Sequence, residues 1–485
     1  MKIAIIGMGV AGVSLIREIK KQLSQTQLKK VELIIFSDSE LFGTGLPYQQ
    51  DDSALVLNQY AESMTIDPSH PTDFLQWIEQ NKPITDAKSL HVPRAWFGEY
   101  VKERLEEWLI DLPVTVIYQK VTRIRAIGDH ASYLIETKDY IKKVDVVHLA
   151  VGHLAYQDPF QLKGLSQYVY HPYPATKQLA FETKKASIGI LGSRLTALDA
   201  MHFLKKKNPE ATFHFFSLDS KFSSIRGYFP DTLLTKEKKD AYLNALLQTD
   251  RTLTLKGVEE WFIKIGLDYQ INIKWIWENL GSGDIEGLKK DLHHLKELGR
   301  FQKLIGELKE TFPYIWLALP DSEKRVFKKH RELHFSRFKI PIPQKVAQDI
   351  LDGHEEGKIR MHNAITSINH NEKEFLIHTQ NEKPTQIDYL INATGQRTHL
   401  LSQTEHQQPL IRQLLEDKLV LPYPFGGVAI DYPSMSIKDG TGKVRPFFKV
   451  YGQLASGIQI GNTNVDLVSQ SAITGVQSML EASVI

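Results

Sequence analysis

Glycines at positions 7, 9 and 12 of "IAIIGMGVAGVSLIREI" have the spacing of a loop that holds a diphosphate through peptide N–H groups. In such a loop Gly7 permits a sharp turn out of a strand, and Gly9 lets backbone amides come close to a bound group. Gly12 lets the next helix pack hard against the strand. The first turn of that helix leaves N–H groups without intrahelical acceptors at the positive end of its dipole, which suits an anion. The motif is weak alone and gains weight from context. Val13, Ile16 and Ile19 follow at helical spacing, and "VELIIF" (Val31 to Phe36) reads as a second strand, which completes a βαβ unit. An acidic residue near the end of that strand would bind ribose hydroxyls; here Ser37 follows the strand and Asp38 comes next, slightly later than the usual spacing.

The same grammar returns in "ASIGILGSRLTALDAMHFL". A strand over Ile188 to Leu191 runs into Gly192, then Leu195, Leu198 and Met201 recur at helical spacing, and "TFHFFS" supplies the next strand. The regions that follow also match. Val121 to Gly152 and Ile365 to Gly395 each read as a small antiparallel meander leading into an apolar strand that ends in glycine, Gly152 or Gly395. These glycines would let backbone approach a bound cofactor. A duplication of this size means two similar domains of α/β class, each with a Rossmann-like parallel sheet. Between the second βαβ unit and the second meander, about 235–337, the chain is helix-rich. Ile285, Leu288, Leu292, Leu295 and Leu298 mark one amphipathic helix, and Trp261, Trp275 and Trp277 read as core aromatics. His293 and His294 are adjacent, point to different helix faces and make a poor metal pair, so no metal is expected.

A length of 485 residues suggests two or three domains, and 42% hydrophobic with 24% charged residues is ordinary for a globular protein. A net charge of +2 argues against overall attraction to nucleic acid or acidic membranes, though not against a local patch; neither is expected as a partner, and a small-molecule substrate is. The first apolar segment is short and broken by glycines, so it reads as a strand rather than a signal peptide, and a soluble, cytoplasmic protein is expected. The chain has no cysteine, which excludes a redox-active dithiol, thiolate metal sites and cysteine nucleophiles.

The blocks "GMGVAGVSLI", "FGTGLPY", "LNQYAESMTIDPSHPTDFLQWI" and "VPRAWFGEYV" occur in that order, followed by "LAVGH", "GSRLTALD", "INATGQ" and "YGQLASG". With these the chain resembles the FAD–NAD(P)-binding protein family, related more distantly to flavin-containing and N-hydroxylating monooxygenases. The resemblance implies a flavoprotein with two dinucleotide-binding domains. The FAD domain would comprise 1–158 and 397–485, and an NAD(P)-binding domain, 159–396, would be inserted between them. Gly7, Gly9 and Gly12 would hold the FAD pyrophosphate, and Ser37 or Asp38 the adenosine ribose. Gly43 and Gly45 would lie in a loop along the cofactor, while Asn58, Met64 and Arg94 belong to blocks expected to line the flavin. Two alternatives stay open: Asn58 as a helix cap, and Arg94 as the partner of a carboxylate such as Glu99.

The pattern is broken in the second loop. Gly192, Thr196 and Asp199 match the family, but Arg194 stands where a glycine is usual. Its side chain either contributes a guanidinium to a phosphate or fills the site. In "SKFSSIRG", Arg226 either selects a 2′-phosphate or is an exposed loop arginine. The acidic residue common after the glycine of "VYGQLASG" is missing, which shifts any flavin contact there to backbone or to Asn462 through Asp466. His171, beside Pro172, is expected to be a solvent-exposed turn histidine. The resemblance implies an FAD-dependent oxidoreductase that takes hydride from NADPH or NADH, of the monooxygenase type. The alternatives are a dehydrogenase or oxidase that never oxygenates, and a non-catalytic flavin-binding sensor with a degraded NAD(P) site.

Overall fold

The computed structural model describes residues 1–181, 185–248, 252–400, 407–460 and 464–483. The chain divides into two compact units. Unit 1 comprises Met1–Gln50, Tyr60–Ala155 and Gln396–Ile485; unit 2 comprises Asp51–Gln59 and Tyr156–Gly395.

Unit 1 is built on a seven-stranded sheet. Its spatial order is Ile430–Asp431, Ser436–Lys438, Val444–Val450, Val146–Leu149, Lys2–Ile6, Glu32–Phe36 and Val114–Ile117. The last five of these run parallel, with Ile3 opposite both Leu33 and Val146. Parallel strands covered on both faces read as continuous apolar runs, and Ile3, Ala4, Ile5, Leu33, Ile35, Val146 and Val147 are fully buried. The same cover takes in a polar residue, His148, in the strand Val146–Leu149. The Tyr451 hydroxyl donates to its Nδ1 at 2.9 Å, and its Nε2 faces the Met479 sulfur at 3.4 Å. An antiparallel meander, Arg123–Ile127, Ser132–Glu136 and Ile141–Val144, leads into that strand.

Unit 2 repeats this arrangement within itself. Its five-stranded parallel sheet has the order Ile359–His362, Thr212–Phe216, Ser187–Leu191, Tyr389–Asn392 and Tyr168–Val169. The meander Ile365–His370, Phe375–Thr379 and Thr385–Ile387 leads into Tyr389–Asn392. In each unit, therefore, the strand before the glycine loop lies between the next βαβ strand and the strand after the meander. Helices from Lys236–Leu247 to Glu332–Lys339 form the insertion.

The structure departs from the sequence reading at three points. The amphipathic pattern from Ile285 to Leu298 is two helices, Ile285–Leu292 and Leu295–Leu308. The break falls at the two histidines, whose Nδ1–H groups donate to the Lys289 and Lys290 carbonyls at 2.7 and 2.9 Å and satisfy the end of the first helix. Of the three tryptophans only Trp261 is in the core; Trp275 and Trp277 are half-buried against His294 and His334. Finally, the stretch 1–158 is interrupted, because Asp51–Gln59 packs into unit 2. The Asp51 carboxylate accepts the Ala175 and Thr176 amides at 2.7 and 3.0 Å, and Leu55 joins the core of that unit. Among the described residues no helix is long and apolar enough to cross a membrane.

Two outcomes follow from this packing. Leu55 is 3% exposed, so L55A is expected to cost about 2–5 kcal/mol and to lower the Tm by several degrees. A Tm within about one degree of wild type would remove Asp51–Gln59 from the core of unit 2. His148 is fully buried, and burial, aided by the Lys449 charge, lowers its pKa to about 3. The unfolded chain binds this proton below about pH 6.5 and the folded chain does not, so stability rises with pH across that window. Between pH 5 and 7 this one group contributes about 2 kcal/mol to the slope. In urea unfolding, H148Q should therefore show a shallower pH dependence than wild type; parallel profiles contradict the assignment.

Candidate dinucleotide sites

In unit 1 the strand Lys2–Ile6 ends at Gly7, whose φ is +96°, and whose amide donates to the Phe36 carbonyl at 2.8 Å. A side chain is barred here twice. The left-handed backbone disfavours it, and a Cβ would be driven into the Ala150 carbonyl at the end of the neighbouring strand. A Cβ on Gly12 would similarly strike the Gly7 carbonyl. The helix Val10–Gln22 then begins at Gly9 with no side-chain cap, so its opening amides face outward unshielded.

A second loop is tied across this one. The Gly43 amide donates to the Met8 carbonyl at 2.7 Å, and a Cβ on Gly9 would lie 3.3 Å from the Gly45 Cα. Between Gly43 and Gly45, the buried Thr44 Oγ1 has no hydrogen-bond partner. A hydroxyl buried without a partner is costly, and an acceptor such as a phosphate oxygen beside the uncapped helix would relieve it. After Phe36, the buried Ser37 turns its hydroxyl onto the Asp38 carbonyl at 3.2 Å. Asp38 stays at the surface, accepting the Glu40 amide at 3.1 Å and lying 3.5 Å from Lys120 Nζ. These features fit FAD: exposed amides and a hydroxyl for a diphosphate, and a carboxylate for ribose hydroxyls.

Further along unit 1 several polar groups come within electrostatic range of one another. Arg94 opens the helix Arg94–Leu109. Tyr48 is half-buried, and burial pushes its phenol up to about 12, opposed by the Arg94 charge and reinforced by Asp466. His153 is held neutral: burial, then the Arg94 charge, lowers its pKa to about 4. Gln396 Nε2 donates to His153 Nε2 at 3.4 Å, while Gln396 Oε1 accepts the Leu154 amide at 2.8 Å. Glu99 is not the partner of Arg94. It is bound by Lys82 at 2.5 Å and by Gln50 at 3.2 Å. Met64 is buried in this unit, and Gly152 has a φ of +70° with open space where a side chain would point. Asn464 caps the helix Val465–Ala482 by accepting the Leu467 amide at 3.0 Å, and Asn462 lies outside the described residues. Tyr48, His153 and Gln396 lie inside the quoted sequence blocks, but nothing local marks them as a group. Only tertiary packing brings them to one place.

In unit 2 the second glycine loop copies the first in backbone. Gly192 has a φ of +120°, donates to the Phe216 carbonyl at 2.7 Å, and would place a Cβ 2.6 Å from the Ala393 oxygen. Arg194 has the conformation of Gly9, with φ and ψ of −93° and −169° against −87° and −163°. Neither is left-handed, so the backbone accepts arginine, and what the substitution changes is the space in front of the loop. Its Nη1 donates to Ser223 Oγ at 3.4 Å and its Nη2 to the Leu333 carbonyl at 3.5 Å. Thr196 is half-buried in the first turn of the helix Leu195–Lys207, and Asp199 accepts the Tyr173 hydroxyl. Gly395, with a φ of +88°, faces open space as Gly152 does.

Three expectations change in unit 2. Arg226 is not an exposed loop arginine: its amide donates to Ile342 at 2.7 Å and its Nε to the Asn58 carbonyl at 3.1 Å. Asn58 belongs to unit 2 and caps no described helix. His171 is half-buried, stacked on Tyr156 at 5.4 Å, with its Nδ1–H donating to the Tyr173 carbonyl at 3.0 Å. Burial lowers its pKa.

Residues 4–154 match the model of a family described as FAD-NAD(P)-binding. The uncharacterized protein YdhS of Escherichia coli K12 is 23% identical over 218 residues, which cover 41% of this chain and 38% of YdhS. The chain thus spans about two-fifths of the length of that curated relative. Solved structures align over nearly the whole chain. The ornithine hydroxylase PvdA of Pseudomonas aeruginosa has a TM-score of 0.58 at 12% identity, covering 99% of this chain and 98% of its own. DfoA, a cadaverine monooxygenase of Erwinia amylovora bound to FAD, has a TM-score of 0.59 at 12% identity, covering 99% and 94%. The L-lysine 6-monooxygenase of Pseudomonas syringae has a TM-score of 0.55 at 14% identity, covering 100% and 99%. At these identities the likeness is one of fold. Residues 4–154 therefore resemble a family described as FAD-NAD(P)-binding, in a chain with two Rossmann-like α/β units whose fold is that of the PvdA, DfoA and L-lysine 6-monooxygenase structures.

Proposed function

We propose that the protein is an FAD-dependent oxidoreductase of the monooxygenase type that takes hydride from NADPH or NADH. The observation that carries this reading is the repeated loop. In both units a left-handed glycine turns beneath the carbonyl of a third strand, Ala150 or Ala393, and delivers an uncapped helix N-terminus. Unit 1 is assigned to FAD because its loop alone is crossed by the Gly43–Gly45 segment with the orphaned Thr44 hydroxyl. Unit 2 is assigned to the pyridine nucleotide.

When bound, the flavin supplies hydride acceptance and oxygen activation, chemistry no side chain here can perform. The chain binds and orients. The amides of Val10, Ala11 and Gly12 and the Thr44 hydroxyl hold the diphosphate, and Asp38 holds the ribose. Arg94 places a fixed positive charge beside Tyr48 and His153. His153, neutral at pH 7, offers a ring N–H without adding charge, and Gln396 fixes its ring through Nε2. The fold neighbours act on ornithine, lysine and cadaverine, so primary aliphatic amines are the first substrates to test. A small molecule is thus the proposed partner, in the cytoplasm, where reduced pyridine nucleotide is supplied.

Under anaerobic conditions NADPH or NADH should bleach the yellow protein. In air, ornithine, lysine or cadaverine should raise oxygen uptake and yield an N-hydroxylated product. Failure of both dinucleotides to bleach the flavin overturns the oxidoreductase reading; bleaching with oxygen uptake that no amine changes removes the amine class. T44V exchanges the orphaned hydroxyl for a methyl group. It should weaken FAD binding about tenfold in calorimetry without lowering the Tm of the FAD-free chain, because a neutral hydrogen bond contributes about 0.5–1.5 kcal/mol. Unchanged FAD affinity would take Thr44 out of the diphosphate site.

A further inference from the structure

The last helix of the insertion, Glu332–Lys339, lies against the second glycine loop. Its Leu333 carbonyl accepts from Arg194, and its Arg337 Nη2 binds the Asp219 carboxylate at 2.9 Å. Lys339 lies within electrostatic range of Arg194. Asp219 follows the strand Thr212–Phe216 much as Asp38 follows Glu32–Phe36. The two carboxylates that attract Arg194, Asp219 and Glu332, are each engaged by another cation. Arg337 holds the first, and Lys328 holds the second at 2.5 Å.

Arg194 itself is weakly held. Among the described residues its hydrogen bonds are the two to Ser223 and Leu333, at 3.4 and 3.5 Å and to neutral oxygens, the outer limit for such bonds. Burial lowers its pKa, and the charge of Arg337 works in the same direction. Arg337 is 6% exposed, and its Nε is buried without a partner. Arg337 is paired with Asp219 and also donates to the Gly281 and Ser282 carbonyls, whereas Arg194 is half-buried with only its two long bonds to neutral oxygens, so an anion beside the loop would relieve the Arg194 guanidinium.

We infer that Arg194 is a phosphate ligand for the second nucleotide, beside the Arg337 and Lys339 charges of the Glu332–Lys339 helix, so that the helical insertion supplies part of the binding site. Arg194 stands at the second position of the glycine loop, where the diphosphate of a dinucleotide rests. Its guanidinium grips that diphosphate directly, in place of the close backbone approach a glycine permits. The inference rests on the proposed NAD(P)H-dependent function and deepens it.

The test is calorimetric titration of the FAD-loaded protein with NADP⁺ and with NAD⁺, for wild type, R194G, R194K and K339Q. The diphosphate is common to both ligands. R194G should therefore lose at least about tenfold in affinity for each, R194K should retain part of the affinity, and K339Q should lose several-fold. FAD content should not change in any variant. R194G binding both ligands as tightly as wild type, or more tightly, overturns the inference and makes Arg194 an obstruction. A loss confined to NADP⁺ moves the guanidinium to the 2′-phosphate and overturns the diphosphate assignment. If wild type, still carrying FAD, binds neither ligand, the proposed function fails and takes this inference with it.

Discussion

The Ala150 carbonyl sets the shape of the first glycine loop. It stands at the end of a parallel strand, directly beneath Gly7, and leaves no room for a side chain there. That approach is what lets the chain turn at once from the strand Lys2–Ile6 into the helix Val10–Gln22, with the helix amides at the carboxyl edge of the sheet. Ligands of open α/β sheets bind at that edge, because helix N-termini and strand ends converge on it. The apolar strands, the meander and the C-terminal helix hold the carbonyl and the glycine in register. The second unit meets the same requirement with Ala393 and Gly192.

Features that depend on near neighbours in the chain were legible in the sequence. The glycine loops, the flanking strands and the two meanders follow from turn chemistry and periodicity, and they lie where the pattern put them. Features that depend on distant partners were not. Nothing in "DDSALVLNQ" says that Asp51 accepts amides more than a hundred residues away or that Leu55 packs under a different sheet. The pattern from Ile285 to Leu298 has helical period throughout, and only the histidine rings bonding back to Lys289 and Lys290 show where the first helix stops. Arg94 and Glu99 sit on one helix at close spacing, but Lys82 takes the carboxylate from outside.

The two loops share a backbone and differ in what they would offer an anion. At Gly9 there is no side chain, and the neighbouring segment closes in until Gly45 and Gly9 nearly touch, leaving the Thr44 hydroxyl without a partner. At Arg194 the same dihedral angles carry a guanidinium, and the insertion helix approaches with two further cations. The first arrangement offers peptide dipoles, the second full charges. Full charges bind phosphate more strongly but are screened by salt and cost more to hold without a ligand.

The central claim is that a loop of bare amides, shaped by Ala150 and roofed by Gly43 to Gly45, grips the diphosphate of FAD. Titrating the FAD-stripped protein with FAD in a calorimeter, wild type beside G45V, addresses it most directly. The account predicts stoichiometric binding to wild type and a large loss in G45V, whose side chain would crowd Gly9. No heat of binding and no yellow colour in the wild-type protein would contradict it.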